Sequence, residues 1–192
     1  MPGIIGQKLG MSQVLQDDGR VIPVTFVKCS PNTIVQVKTK EKDGYPALVL
    51  GFDAYKNPSK NKKFKMVREF RVEKPENYQK DQKFELKGLE GIKAVTVTSQ
   101  SKGKGMQGVV RKYHFAGGPA THGSTFHREP GAVGARSKPG RVHKGKHLPG
   151  HMGYEQVTLK DRPVILLAPD KELIAIKGPI PGPNKGYVFL KF

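Results

Sequence analysis

One cysteine, 16 acidic residues and no apolar run approaching the roughly 20 residues of a membrane-spanning helix are the scarcities of this 192-residue chain. Each excludes something. The lone Cys29, in a Val-Lys-Cys-Ser context after an apolar run, can form no internal disulfide, so it reads as a small core residue in a reducing compartment. Against the 16 acids stand 34 Lys and Arg, a formal charge of +18 with a pI of about 10.0. Such a chain repels itself and draws polyanions, so nucleic acid is the first partner to consider. An anionic membrane surface is the second, and it is set aside because neither an apolar span nor a basic amphipathic helix is evident. The opening Met-Pro-Gly-Ile-Ile-Gly-Gln-Lys-Leu-Gly-Met has no charged n-region, apolar h-region or Arg- and Ser-rich transit segment. The expectation is a protein that works where it is made, in the cytoplasm. A hydrophobic share of 36% is adequate for a core without being rich.

What is present is a series of short strand-like runs separated by turn residues. Asp18-Gly19 divides residues 11–16 from residues 21–27, and 34–37, 47–50, 67–72, 84–86 and 94–98 follow. After a long gap come 156–159, 164–167, 173–177 and 187–190. No long amphipathic helix appears. Many short strands at even spacing predict a mostly β fold, a closed or nearly closed β-barrel built from residues 1–100 and 154–192.

The gap, 101–153, is different in kind. It holds 12 of the 23 glycines, all six histidines and ten Lys and Arg against the single acid Glu129, a net +9. Its few apolar residues follow neither a helical nor a strand period. Fixing 53 backbones costs on the order of 50–100 kcal/mol, which so little apolar surface cannot offset, so order must come from a partner. The expectation is a long irregular basic extension inserted between strands. Run out and back at roughly 3.3 Å per residue, it could reach at most about 85 Å. A second basic run, 56–68, carries Lys56, Lys60, Lys62, Lys63, Lys65 and Arg68 without an acid, and reads either as a solvated loop or as an auxiliary phosphate-contacting patch.

Three enzymatic readings of the gap compete with RNA binding. Gly103, Gly105 and Gly108 match the spacing of a dinucleotide fingerprint, with Glu129 about 20 residues on. The stretch before Gly117-Gly118-Pro119 is too short for a crossover helix, and no further βαβ units surround it. Beside Lys102 and Lys104 the same glycines suit close backbone approach to RNA phosphates. His143, His147 and His151 recur every four residues like metal ligands on a helix, but Gly145, Pro149 and Gly150 interrupt any helix there. Ser124 and Ser137 lack a nucleophile elbow, and paired carboxylates are impossible with one acid. What remains is a polycation interleaved with Tyr113, Phe115 and Phe126, suited to threading between RNA strands and stacking on exposed bases. His122, His127 and His151 join it as groups that stack on bases or bond phosphate and 2′-hydroxyl groups, with Arg128 beside them. A free-standing nucleotide enzyme would bind nucleotide tightly at high salt, and a general nucleic-acid chaperone would leave no specific footprint.

Four strings carry a family resemblance: Gly-Ile-Ile-Gly-Gln-Lys-Leu-Gly-Met-Ser from Gly3, Thr-Ser-Gln-Ser-Lys-Gly-Lys-Gly-Met-Gln-Gly-Val-Val-Arg-Lys from Thr98, Ala-Thr-His-Gly-Ser from Ala120, and the run from Lys138 to Thr158. With Lys-Gly-Pro-Ile-Pro-Gly from Lys177 they resemble the bacterial type of ribosomal protein L three over essentially the whole chain. The resemblance implies a β-barrel at the surface of the large ribosomal subunit and an extension running through its RNA towards the peptidyl transferase centre. It also implies early binding to the RNA and a part in nucleating assembly. Lys102, Lys104, Arg111 and Lys112 match the family's basic stem, and Arg136, Lys138, Arg141, Lys144 and Lys146 its return strand. The implied partners are large-subunit rRNA and neighbouring ribosomal proteins, with no enzyme activity, cofactor, metal, membrane or small-molecule substrate. Some bacterial members carry a methylated glutamine where this chain has His151, so that modification is not carried over.

Overall fold

The computed structural model describes residues 3–16, 18–59, 62–86 and 91–192. These divide into two compact units, Lys102–Glu155 and the segments flanking it on both sides. The flanking unit is mostly β.

Six strands of this unit pair in a cycle: β1 (Gly3–Leu15), β12 (Tyr187–Lys191), β7 (Ala94–Gln100), β10 (Gln156–Ala168), β11 (Leu173–Lys177) and β2 (Val21–Lys28), which returns to β1. Every pairing is antiparallel. A second sheet runs β5 (Phe64–Arg71), β4 (Ala47–Ala54), β3 (Asn32–Lys38), β6 (Lys83–Phe84), with the single-turn helix α1 (Lys40–Asp43) between β3 and β4.

The two-residue period of a strand explains how two cores arise from one set of strands, because successive side chains leave opposite faces. On β1, Ile4 joins the cluster of Val27, Val95, Val97, Ile174, Ile176 and Leu190, while Ile5 joins Ile34, Leu48, Leu50, Phe52 and Phe70 on the other side. β12 divides in the same way: Val188 and Leu190 go to the first cluster, Tyr187 and Phe189 to the second. β4 is buried from Ala47 to Phe52 and so reads as an unbroken apolar run rather than an alternation. Fully buried Asn32 ties the sheets together. Its amide accepts the Ile5 N–H (3.2 Å) and donates to the Ile5 carbonyl (3.1 Å), as a strand neighbour would.

The Lys-Gly-Pro-Ile-Pro-Gly segment is held by side chains from three strands. Thr25 donates to the Gly178 carbonyl (2.7 Å) and Ser99 to that of Pro181 (2.8 Å). Lys8, buried at 7% exposure, donates to the carbonyls of Ile180 (2.6 Å) and Gly182 (3.0 Å). Charge-assisted bonds of this kind satisfy carbonyls that a proline-rich turn cannot pair with itself. Two strings far apart in sequence are thus one structural feature.

Several sequence expectations are corrected. The first strand begins at Gly3 rather than at residue 11, because Gly3 and Gly6 allow close packing: a Cβ on Gly6 would lie 2.6 Å from Val27 Cγ1. Runs 156–159 and 164–167 are one strand, bent at an irregularity between Leu159 and Arg162 where Asp161 takes a positive φ of 50°. Leu86 is buried but lies outside β6. The basic run 56–68 is not all loop, since Lys65 and Arg68 belong to β5.

Cys29 sits in the first core at 2% exposure, and burial, with a smaller contribution from Glu172, pushes its thiol up to about 12. At pH 8 that holds the thiolate fraction roughly a thousandfold below that of an ordinary thiol. The folded protein is therefore expected to resist a disulfide reagent that labels it at once in guanidinium. Equal labelling rates in the two states would show Cys29 to be accessible.

Candidate nucleic-acid interface

Lys102–Glu155 is closed at its base by a two-stranded ladder, β8 (Gly105–Gln107) against β9 (Gly150–Met152), pairing Gly105 with Met152, Met106 with His151 and Gln107 with Gly150. The Lys104 N–H adds a bond to the Met152 carbonyl (2.9 Å). Gly153, at φ 75°, lies where a Cβ would run into the Lys102 carbonyl, so glycine is required at this crossing. Gly108 then opens the five-residue helix α2 (Val109–Tyr113), which stops at His114 in the left-handed region (φ 61°). The segment 101–153 is thus not wholly irregular, as its composition suggested. β8 and β9 are too short to show a period, and glycine at both carries no strand signal.

Beyond α2 the order is local. The Tyr113 and His147 rings stack at a centroid distance of 4.1 Å with planes 4° apart, and Phe115 packs obliquely on both. Lys112 Nζ lies over the Tyr113 ring at 5.1 Å. Further on, Gly118 donates its N–H to the His127 carbonyl (3.3 Å), and side chains at Gly117 and Gly118 would collide with the carbonyls of His127 and Phe126. His127 Nδ1 is 2.9 Å from the Pro119 carbonyl. The sequence argument gave Tyr113 and Phe115 to exposed bases. Both are half-buried and face His147 instead, while Phe126 stands out at 62% exposure.

Val109 is the only buried residue of Lys102–Glu155. Lys102, Lys104, Arg111, Arg128, Arg136, Lys138, Arg141, Lys144 and Lys146 are exposed, as are His122, His127 and His151, and Lys112 is half-buried. The ion pairs Arg20–Asp18, Lys28–Glu172, Lys38–Glu69 and Lys65–Asp53 use none of these cations. Glu129, the acid within 101–153, is exposed as well. The result is a polycationic surface on a backbone held by turns, a short ladder and one ring stack. Unfolding freedom this cheap should be visible in the free protein: amides of residues 116–146 are expected to exchange at close to unstructured rates, and those of the β7–β10 ladder far more slowly. Protection of 116–146 equal to that of β7 without RNA would overturn this expectation.

The auxiliary patch splits. Lys56, Lys62 and Lys63 are exposed, and Lys60 lies outside the described residues. Lys65 is bonded to Asp53 (3.0 Å), which raises its pKa, and Arg68 lies over the Phe189 ring (5.0 Å) with a bond to Gln156 (3.3 Å). The last two are engaged within the fold.

The dinucleotide reading finds no frame. β8 precedes Gly108 and α2, but it pairs antiparallel, whereas a dinucleotide fingerprint needs a parallel βαβ unit. Among the described residues no three His, Cys, Asp or Glu side chains group as metal ligands, and no helix is long and apolar enough to cross a membrane.

The family model described as ribosomal protein L3 matches residues 59–172. The large ribosomal subunit protein uL3 of Syntrophus aciditrophicus is 42% identical to this chain over 98% of it and 92% of its own length. Those of Syntrophotalea carbinolica and Oceanobacillus iheyensis are 43% and 44% identical, covering 98% and 97% of this chain and 96% and 94% of their own. The chain belongs to the ribosomal protein L3 family. Proteins of that family are structural components of the ribosome and not enzymes. Sequence reasoning missed Lys8, whose signal was its place in the opening string, and the Tyr113–His147 stack, for which no spacing rule exists.

Proposed function

We propose that this protein is a structural constituent of the large ribosomal subunit that binds its rRNA and takes part in nucleating the subunit, working in the cytoplasm within the ribosome. It is not an enzyme. The six-stranded ring acts as a closed β-barrel that seats the protein, with the second sheet packed on it. Residues 101–153 act as the RNA-penetrating extension, directed towards the peptidyl transferase centre. Lys102, Lys104, Arg111 and Lys112 contact phosphates near its base. Arg128, Arg136, Lys138, Arg141, Lys144 and Lys146 contact them along its length, with His122, His127 and His151 on bases or 2′-hydroxyls. Lys56, Lys62 and Lys63 form an auxiliary phosphate contact.

One observation carries the reading: 54 residues that bury Val109 alone while exposing nine of their ten Lys and Arg cannot be a self-sufficient domain, and a polyanion is the partner that satisfies them. Hydroxyl-radical cleavage from an iron chelate tethered at Ser137, read in intact large subunits, is the test. Cleavage of interior rRNA is expected. Cleavage confined to rRNA at the subunit surface would refute the penetrating role.

A further inference from the structure

The far half of the β1–β2 hairpin has no part in that RNA surface. β12 accompanies β1 only from Gly3 to Gln7, and from Met11 onwards β1 pairs with β2 alone: Met11 with Thr25, Ser12 with Val24, Gln13 with Pro23, Val14 with Ile22, Leu15 with Val21. The Gln16 N–H bonds to the Arg20 carbonyl (2.9 Å) one step beyond the last pair. Antiparallel pairs alternate, so Val14–Ile22 and Ser12–Val24 are the bonded ones, and Met11, Gln13 and Leu15 turn their N–H and C=O groups away from β2. Pro23 agrees with this parity. It has no N–H, and its carbonyl accepts the Gly178 N–H (2.9 Å) on the outer side. The β2 edge is therefore blunted by proline, and among the described residues no strand pairs with the outer edge of β1 from Met11 to Leu15.

Side chains and charge point the same way. Opposed residues share a face, and Met11, Leu15 and Val21 stand on one at 53%, 71% and 55% exposure, next to exposed Pro23. Between Lys8 and Lys28 the chain has one cation, Arg20, against Asp17 and Asp18. Arg20 Nε lies 3.3 Å from Asp18 Oδ2. In a protein of net charge +18, this hairpin offers phosphate no uncommitted cation and offers apolar surface instead.

Resting on the reading as a large-subunit protein, we propose that this hairpin is a protein-docking edge. An extended segment of a neighbouring large-subunit protein adds as a strand along Met11–Leu15, pairing with the outward backbone groups of Met11, Gln13 and Leu15 and setting its own apolar side chains beside Met11 and Leu15.

The test uses the full chain carrying a photo-crosslinking residue at Leu15, assembled into large subunits and irradiated. The expected product is a crosslink to an extended segment of one identified ribosomal protein. Gln13→Pro, which removes one outward N–H and leaves the β1–β2 bonds in place, should lower its yield roughly tenfold while thermal unfolding and rRNA affinity stay unchanged. If Gln13→Pro disturbs the fold, Met11→Lys serves instead, since it keeps the backbone and alters only the exposed face. A crosslink to rRNA, to a second copy of this chain or to nothing would overturn the proposal, and so would a yield that neither variant lowers. Failure of the unmodified chain to enter large subunits would sink the ribosomal reading itself, and the docking edge with it.

Discussion

Replacing residues 101–155 with Asn-Gly is expected to leave a folded protein and a disabled ribosome. Gln100 at the end of β7 and Gln156 at the start of β10 are cross-strand partners, so the entire insertion occupies the tip of one antiparallel hairpin. A two-residue Asn-Gly turn closes such a pair with matching twist. Every buried hydrophobic among the described residues except Val109 lies outside the deleted segment. The shortened loop also lowers the entropy of closure. The unfolding temperature should consequently shift by no more than about 5 °C, the size of a change near 1 kcal/mol in a domain this small. The remaining chain keeps 24 basic and 14 acidic residues, a net +10, and should still find large-subunit RNA. If Lys102–Glu155 makes the interior rRNA contacts proposed above, subunits assembled with the shortened chain should lose most peptide-bond-forming activity. The paired measurements are thermal unfolding of the shortened chain and the activity of reconstituted large subunits. A chain that failed to fold would make Lys102–Glu155 part of the core. Fully active subunits would make it dispensable.

Affinity for large-subunit RNA should collapse with salt. Each phosphate neutralised releases counterions, which costs roughly 0.7 to 0.9 of a log unit in binding per log unit of salt. If six to ten of the exposed cations of Lys102–Glu155 are so engaged, affinity falls by about 10³ to 10⁵ between 50 and 200 mM salt. The shortened chain should show a slope smaller by the contacts it has lost, and this difference separates the extension's share from that of the flanking unit. Filter binding of both proteins across a salt series measures it. Parallel slopes would mean that the extension's cations face water in the complex.

Much of this protein was legible before its fold was known, and the reasons are specific. Strands in the first unit show because Asp18-Gly19 marks a turn and because residues 94–98 and 187–190 alternate or cluster apolar β-formers. The basic segment shows because charge, glycine and histidine concentrate there with one acid. Other features left no local trace. The strand character of Gly3–Gly10 is hidden by its glycines, of which Gly6 packs closely against Val27 and Gly3 against Phe70 and the Leu190 carbonyl, and such packing is set by residues distant in sequence. Lys8 looked like one more surface lysine until the carbonyls of Ile180 and Gly182 closed on it.

Composition and charge by themselves determined that this chain seeks a polyanion, that part of it cannot bury a core, and that its lone cysteine forms no internal disulfide. These are sums over residues and need no geometry. Tertiary structure alone decided which face of β1 serves which core, which cations are held within the fold, as Lys65 and Arg68 are, and which stand free. It also decided that, among the described residues, β2 is the strand paired with β1 along Met11–Leu15. Those properties depend on which strand lies beside which, and some of those pairings join residues more than a hundred positions apart, as Gly3 with Lys191 shows.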